Sequence, residues 1–226
     1  MRVDEAVGEA VDETVDETVV KAATEAVTEA PTEAEDEEIG RGAEAVITRI
    51  GNRVRKVRLP KGYRLSALDE RIRRERTVME ARIISEARRC GVPTPIVLDV
   101  DRFSLTMEHV EGTKLKEVID PDLSERVGEL TGKLHACGIV HGDLTTSNMI
   151  QRGEKIYFID FGLAFHDQGI EAQGVDVHVF FQTLRSTHDR SDELIDAFAR
   201  GYSRTYSRAG EVLARAEEIA GRGRYL

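Results

Sequence analysis

The chain has 226 residues, 40% hydrophobic and 33% charged, enough for one modest domain or two small lobes with a solvated surface. Aromatic residues are 5% of the total and tryptophan is absent, which argues against platforms for stacking nucleic-acid bases. The net charge of −10 belongs to the first 38 residues, which hold 14 acidic and two basic side chains; the remainder carries 30 basic and 28 acidic residues, or +2.

Residues 1–37 repeat a four-residue unit of Glu, Thr, Ala and Val. A strict period of four sets like charges at i,i+4 and drifts from the 3.6-residue helical repeat. With no aromatic residue to bury, this segment reads as an acidic, low-complexity, disordered tail. From Ile39 the texture changes. Residues 43–50 and 53–59 alternate with period two around Gly51-Asn52, a hairpin signal. A helix is predicted from about Asp69 to Cys90, stopped by Gly91-Val92-Pro93, and short strands near 96–100 and 103–108. Leu123, Val127, Leu130 and Leu134 mark a core helix across 122–137. A polar loop at 139–148, a strand at 155–159 and helices near 173–186, 191–207 and 209–220 follow. The expected fold class is α+β, a two-lobe protein-kinase-like plan with lobes at 38–110 and 111–226.

The strongest chemical signal is HGDLTTSNM (141–149) followed by IDFGL (159–163). Phosphoryl transfer from a nucleotide requires positioning and charge neutralisation more than covalent chemistry. One carboxylate must orient and deprotonate the attacking hydroxyl, and oxygen donors must hold the magnesium that bridges the phosphates. Asp143, with Asn148 five residues on and Asp160 twelve further, has kinase spacing, with Asp143 as base and Asn148 and Asp160 as metal ligands. An oxygen-only ligand set suits Mg²⁺. Either motif alone could be an ordinary turn; the ordered set is specific.

Upstream, Lys56 lies on the second predicted strand, the element from which a kinase lysine reaches the phosphates. Glu80 sits mid-helix among Met79, Ile83 and Ile84, where an unpaired carboxylate would be costly, so Lys56 is its natural partner; the alternative is a surface lysine and a glutamate in a local helix salt bridge. Gly40 and Gly42 read either as a phosphate-covering turn or as hairpin punctuation. The two cysteines, Cys90 and Cys137, are far apart in sequence, and no secretory leader or apolar run of membrane-spanning length is apparent. The expectation is a cytoplasmic protein with free thiols and no membrane association.

The strings KVRLPKGYR (56–64), LDERIRRERTVMEARII (68–84), MEHVEG (107–112), HGDLTTSNM and IDFGL resemble the small atypical serine/threonine kinase of the KEOPS complex, whose animal relative is called PRPK. The similarity covers residues 39–226. It implies an ATP- and Mg²⁺-dependent kinase or ATPase in which Lys56 contacts the α- and β-phosphates and Glu80 anchors it. It also implies that residues 107–110 form a hinge holding adenine through the backbone, with Glu108 and Val110 as contacts, and that Asp176 steadies the catalytic loop. The implied partners are a threonylcarbamoyl transferase subunit and other KEOPS subunits in making threonylcarbamoyl-adenosine (t6A) in tRNA. The alternatives are a stand-alone serine/threonine kinase, a small-molecule phosphotransferase, and a pseudokinase scaffold. Gly142 stands where most protein kinases carry an arginine that reads a phosphorylated activation loop. Only 13 residues separate Gly162 from Asp176, with no Ala-Pro-Glu, so a peptide platform is missing. Arg200, Arg204 and Arg208 at i,i+4, with Arg222 and Arg224, read as a solvated arginine face partly balanced by Glu211, Glu217 and Glu218, whereas the resemblance implies a basic C-terminus that touches tRNA or the transferase subunit.

Overall fold

The computed structural model describes residues 36–222. The acidic repeat, except for its last two residues, lies outside the described residues, as do the last four residues of the chain.

A five-stranded antiparallel sheet forms the first part, in the order β1-β2-β3-β5-β4. Its members are β1 (Glu37–Arg41), β2 (Ala45–Ile50), β3 (Arg53–Arg58), β4 (Val97–Val100) and β5 (Ser104–Glu108). The Gly51-Asn52 hairpin pairs Ile47 with Lys56 and Ile50 with Arg53, as the period-two pattern requires. Strand β1 is not apparent from the sequence. It sits on a polar sheet edge and pairs with β2 through a register shift between Glu38 and Gly40.

Helix α1 (Ser66–Arg89) packs against this sheet. Its buried residues are Asp69, near the start, and Thr77, Glu80, Ala81, Ile83, Ile84 and Ala87, so the Glu80 carboxylate is carried in among apolar side chains. A short strand β6 (Thr113–Lys114) and helix α2 (Leu115–Val118) lead into α3 (Pro121–Ala136). Asp120 caps α3 by accepting from the Leu123 amide at 2.8 Å, with Pro121 in the first turn. Strands β7 (Ile139–Val140) and β10 (Phe165–His166) pair with each other, and β6, β8 (Met149–Arg152) and β9 (Lys155–Phe158) form a three-stranded sheet. Helices α4 (Ile170–Thr187), α5 (Ser191–Thr205) and α6 (Ala209–Arg222) complete the described fold.

Helices α3 and α5 approach unusually closely, because glycines face each other at the crossing. A Cβ on Gly201 would stand 1.8 Å from the Glu125 carbonyl oxygen, and one on Gly128 would stand 2.1 Å from that of Phe198. The buried aromatics Phe180, Phe198 and Tyr202 fill the space beside this crossing.

One expectation is overturned. Cys90 and Cys137 are not free thiols but a disulfide. Cys90 is the C-cap of α1 and Cys137 the C-cap of α3. Tertiary packing brings these two helix ends to a Cα separation of 6.5 Å, within bonding range, although 47 residues separate them in sequence.

Candidate active site

The site begins with strand alternation. In β3 the exposed residues are Arg53 and Arg55, while Lys56 and Arg58 turn inward and are buried. Two buried cations on one face need compensating charge, and the inward stripe of α1 supplies Glu80. Lys56 Nζ lies 2.6 Å from Glu80 Oε1, and Arg58 Nη2 lies 2.5 Å from Oε2, so both carboxylate oxygens are taken. Lys56 Nζ also donates to Asp160 Oδ1 at 2.7 Å. Burial alone would lower the Lys56 pKa, but the Glu80 and Asp160 carboxylates outweigh it and hold the ammonium above its ordinary value. The same attraction works in reverse on Asp160. Burial would raise its carboxyl, yet the Lys56 charge, with help from the Gly162 amide, holds it below the ordinary carboxylate range.

Asp160 has a positive φ of 59°. A non-glycine residue in that region is strained by its own Cβ, and such strain clusters at functional sites. Here the Lys56 ion pair and the Gly162 amide hold it in place.

The catalytic-loop candidates are locked to one another. Asn148 Nδ2 donates to Asp143 Oδ2 at 2.7 Å and to the Asp143 carbonyl at 3.0 Å. The loop is held from below by Asp176 of α4, which accepts from the His141 amide at 2.8 Å and the Gly142 amide at 2.9 Å. His135 Nε2 lies 3.2 Å from the same carboxylate, and its Nδ1 lies 2.7 Å from the Tyr202 hydroxyl. Burial would raise the Asp176 carboxyl, but its bond to His135 and the amide donors hold it low. Gly142 has φ +79°, and a Cβ there would stand 2.4 Å from the Leu163 carbonyl oxygen. An arginine at this position is excluded by geometry. The segment after Gly162 turns straight back to pair Phe165 with Val140, leaving no platform for a peptide among the described residues.

A cavity of about 540 Å³ opens between the five-stranded sheet and the catalytic loop, a size typical of small-ligand sites. Lys56, Glu80, Glu108, Val110, Asn148 and Asp160 line it. The His109 amide is spent on the Asn52 carbonyl at 2.9 Å and the Glu108 amide on Ile96, whereas the Val110 amide donates to no backbone carbonyl among the described residues. The Val110 amide is thus free of a backbone acceptor on the cavity wall. Gly40 and Gly42 are not brought to this wall. From β1 the lining is Glu37 and Ile39, and the Gly42 amide closes a turn onto the Ala45 carbonyl.

Sequence reading missed Arg58, His135 and Lys114, the last of which also lines the cavity. The period-two rule contained the signal for Arg58, two residues beyond Lys56 on the same strand. Nothing in the sequence marked His135 or Lys114. Arg200 and Arg204 pair with Glu125 and Glu129 of α3, and Arg208 with Glu211, whereas Arg224 lies outside the described residues.

The family model described as RIO domain matches residues 53–190. The chain belongs to the RIO-domain kinase family. The matched span of the RIO domain contains Lys56, Glu80, the catalytic loop and Asp176. A probable serine/threonine-protein kinase BUD32 homolog of Archaeoglobus fulgidus is 49% identical over 185 residues, 82% of this chain and 94% of the relative. A probable bifunctional tRNA threonylcarbamoyladenosine biosynthesis protein of Methanosarcina acetivorans is 55% identical over 194 residues, 84% of this chain. The match spans only 36% of that longer relative. Among solved structures, the Rio2 kinase of Chaetomium thermophilum, in its ADP/Mg²⁺-phosphoaspartate complex, superposes with a TM-score of 0.58 at 16% identity over 89% of this chain and 74% of its own. The ADP-bound aminoglycoside phosphotransferase APH(2'')-Ib has a TM-score of 0.59 at 13% identity, covering 90% and 86%. These structures share the protein-kinase-like fold with this RIO-domain chain.

Proposed function

We propose that this RIO-domain chain is an ATP-dependent serine/threonine kinase or ATPase that works as a subunit supporting threonylcarbamoyladenosine formation in tRNA. The observation that carries the reading is the convergence of Lys56, Glu80, Asn148 and Asp160 on one cavity, with Asp143 bonded to Asn148. In it, Lys56 holds the α- and β-phosphates and Glu80 orients Lys56. Asp143 takes the proton of the attacking hydroxyl or water, and the 107–110 hinge receives adenine at the Glu108 carbonyl and the Val110 amide.

The residues fit a magnesium ion. Because Asn148 donates through Nδ2, its Oδ1 has no protein partner among the described residues, and neither has Asp160 Oδ2. Two oxygen donors with no nitrogen or sulfur suit Mg²⁺, which keeps several waters and substrate oxygens in its shell. When bound, the ion neutralises charge on the phosphates.

The tRNA-modification role is supported by the names of the relatives. In the longer ones the segment like this chain occupies about a third of a protein named bifunctional. The short segment after Gly162 favours a complex-bound ATPase over a kinase of many peptides. The test is ADP release by the purified chain, alone and with the transferase subunit and tRNA, with Asp160→Ala as the blank. Turnover that rises several-fold only with both partners supports the reading. Equal turnover without them moves it to an independent kinase.

A further inference from the structure

The cavity has a cationic wall that the mechanism above leaves unused. Lys56 is already committed to two carboxylates, Glu80 and Asp160. Arg49, which also lines the cavity, donates its Nε to the Gly51 carbonyl of its own hairpin. Between Ile139 and Gln151 there is no lysine or arginine, so the catalytic loop brings no cation of its own. Lys114, at the end of β6, also lines the cavity. Its Nζ donates to the Ser147 carbonyl at 3.0 Å, which places the ammonium next to Asn148. Among the described residues it has no carboxylate within ion-pair distance. Burial and the neighbouring Lys116 lower its pKa, while Asp160 opposes them.

We infer that Lys114 contacts the terminal phosphate of a nucleoside triphosphate in the cleft and makes the site prefer a triphosphate over a diphosphate. A half-buried ammonium held by one neutral carbonyl has two donors left for an anion. The bond to the Ser147 carbonyl and the pull of Asp160 put its ammonium beside the two oxygen donors proposed for magnesium, where a phosphate would lie. Lys56 from the sheet and Lys114 from below then grip the phosphate chain from both sides. The charge that accumulates during transfer is met without a loop lysine.

The inference rests on the nucleotide-binding reading, and one set of titrations separates the two. Binding of Mg²⁺ with a non-hydrolysable ATP analogue, with ADP, and of adenosine alone is measured by calorimetry for the wild-type full chain, Lys114→Met and Lys114→Gln. Lys114→Gln removes the charge but keeps an N–H donor, on a side chain one atom shorter, in reach of the Ser147 carbonyl region. Both variants are expected to lose about 10- to 100-fold in affinity for the triphosphate analogue, the value of a charge-assisted hydrogen bond, with ADP much less affected and adenosine unchanged. Equal losses for all three ligands would assign Lys114 a purely structural role and overturn the inference, as would no loss at all. A wild-type chain that binds none of the nucleotides would overturn the nucleotide reading itself.

Discussion

Arg58 stands against the same carboxylate as Lys56: its Nη2 lies 2.5 Å from Glu80 Oε2, and both side chains are buried. Glu80 therefore neutralises two cations, and its loss differs in kind from the loss of either. Arg58→Met leaves Glu80 paired with Lys56 and should lower unfolding stability by about 1–3 kcal/mol. Glu80→Gln leaves two buried cations facing a neutral amide and should cost more, about 3–5 kcal/mol. Urea unfolding of the two variants measures the order. A larger loss for Arg58→Met would mean that Arg58 acts through its half-buried neighbour Glu44, 3.8 Å away, and not through Glu80.

Asp176 links stability to the catalytic loop through charge. Its folded pKa lies below the unfolded value, so its stabilisation is present above the unfolded carboxylate pKa of about 3.9 and is lost as pH falls through the folded value. Asp176→Asn keeps the shape but turns one donor toward another, because His141, Gly142 and His135 all approach the carboxylate. At pH 7 the variant should be about 3 kcal/mol less stable. The gap to wild type should close as the pH drops below about 4. A gap that stays constant from pH 7 to 3 would show that the charge of Asp176 is not what holds the loop.

The α3–α5 crossing makes a sharp prediction about glycine. In an open helix, Gly→Ala stabilises by up to about 1 kcal/mol. Gly210, in the first turn of α6, has open space where a Cβ would stand, with nothing within 4 Å, so Gly210→Ala should be neutral or stabilising. Gly201→Ala meets backbone at 1.8 Å and should cost about 1–3 kcal/mol despite the better helix former. Thermal unfolding of the pair decides it; equal midpoints would mean that the crossing has room to open.

The parts legible in the sequence are those whose physics is local. HGDLTTSN and IDFG are readable because the chemistry needs its groups within one loop and one turn. The β2–β3 hairpin is readable because Gly51-Asn52 and period-two alternation act over a dozen residues. Lys56 and Glu80 pair on burial logic alone, since a carboxylate among Ile83 and Ile84 demands a cation. What escaped depends on distant partners. Strand β1 is polar and mostly exposed, so only its pairing with β2 defines it. The acids that balance Arg200 and Arg204 come from α3, about 75 residues away, whereas the local acids Glu211 and Glu218 serve Arg208 and Arg215. His135 looks like an ordinary helix residue until the fold sets it between Asp176 and Tyr202.

The Cys90–Cys137 bond ties the end of the helix carrying Glu80 to the end of the helix that leads into the catalytic loop. Closing a loop of this length restricts the unfolded chain and stabilises the fold by on the order of 2–4 kcal/mol. Reduction, or Cys90→Ser, should therefore lower the midpoint of thermal unfolding by roughly 4–16 °C, at about 2–4 °C per kcal/mol for a domain of this size. The oxidised chain should take up no alkylating reagent under denaturing conditions until a reductant is added, and then two equivalents, one for each cysteine in the sequence. Two equivalents without reductant would mean that the thiols are free in the isolated protein. In that case the melting midpoint should not respond to reductant either, and the link between the two helix ends would rest on packing alone.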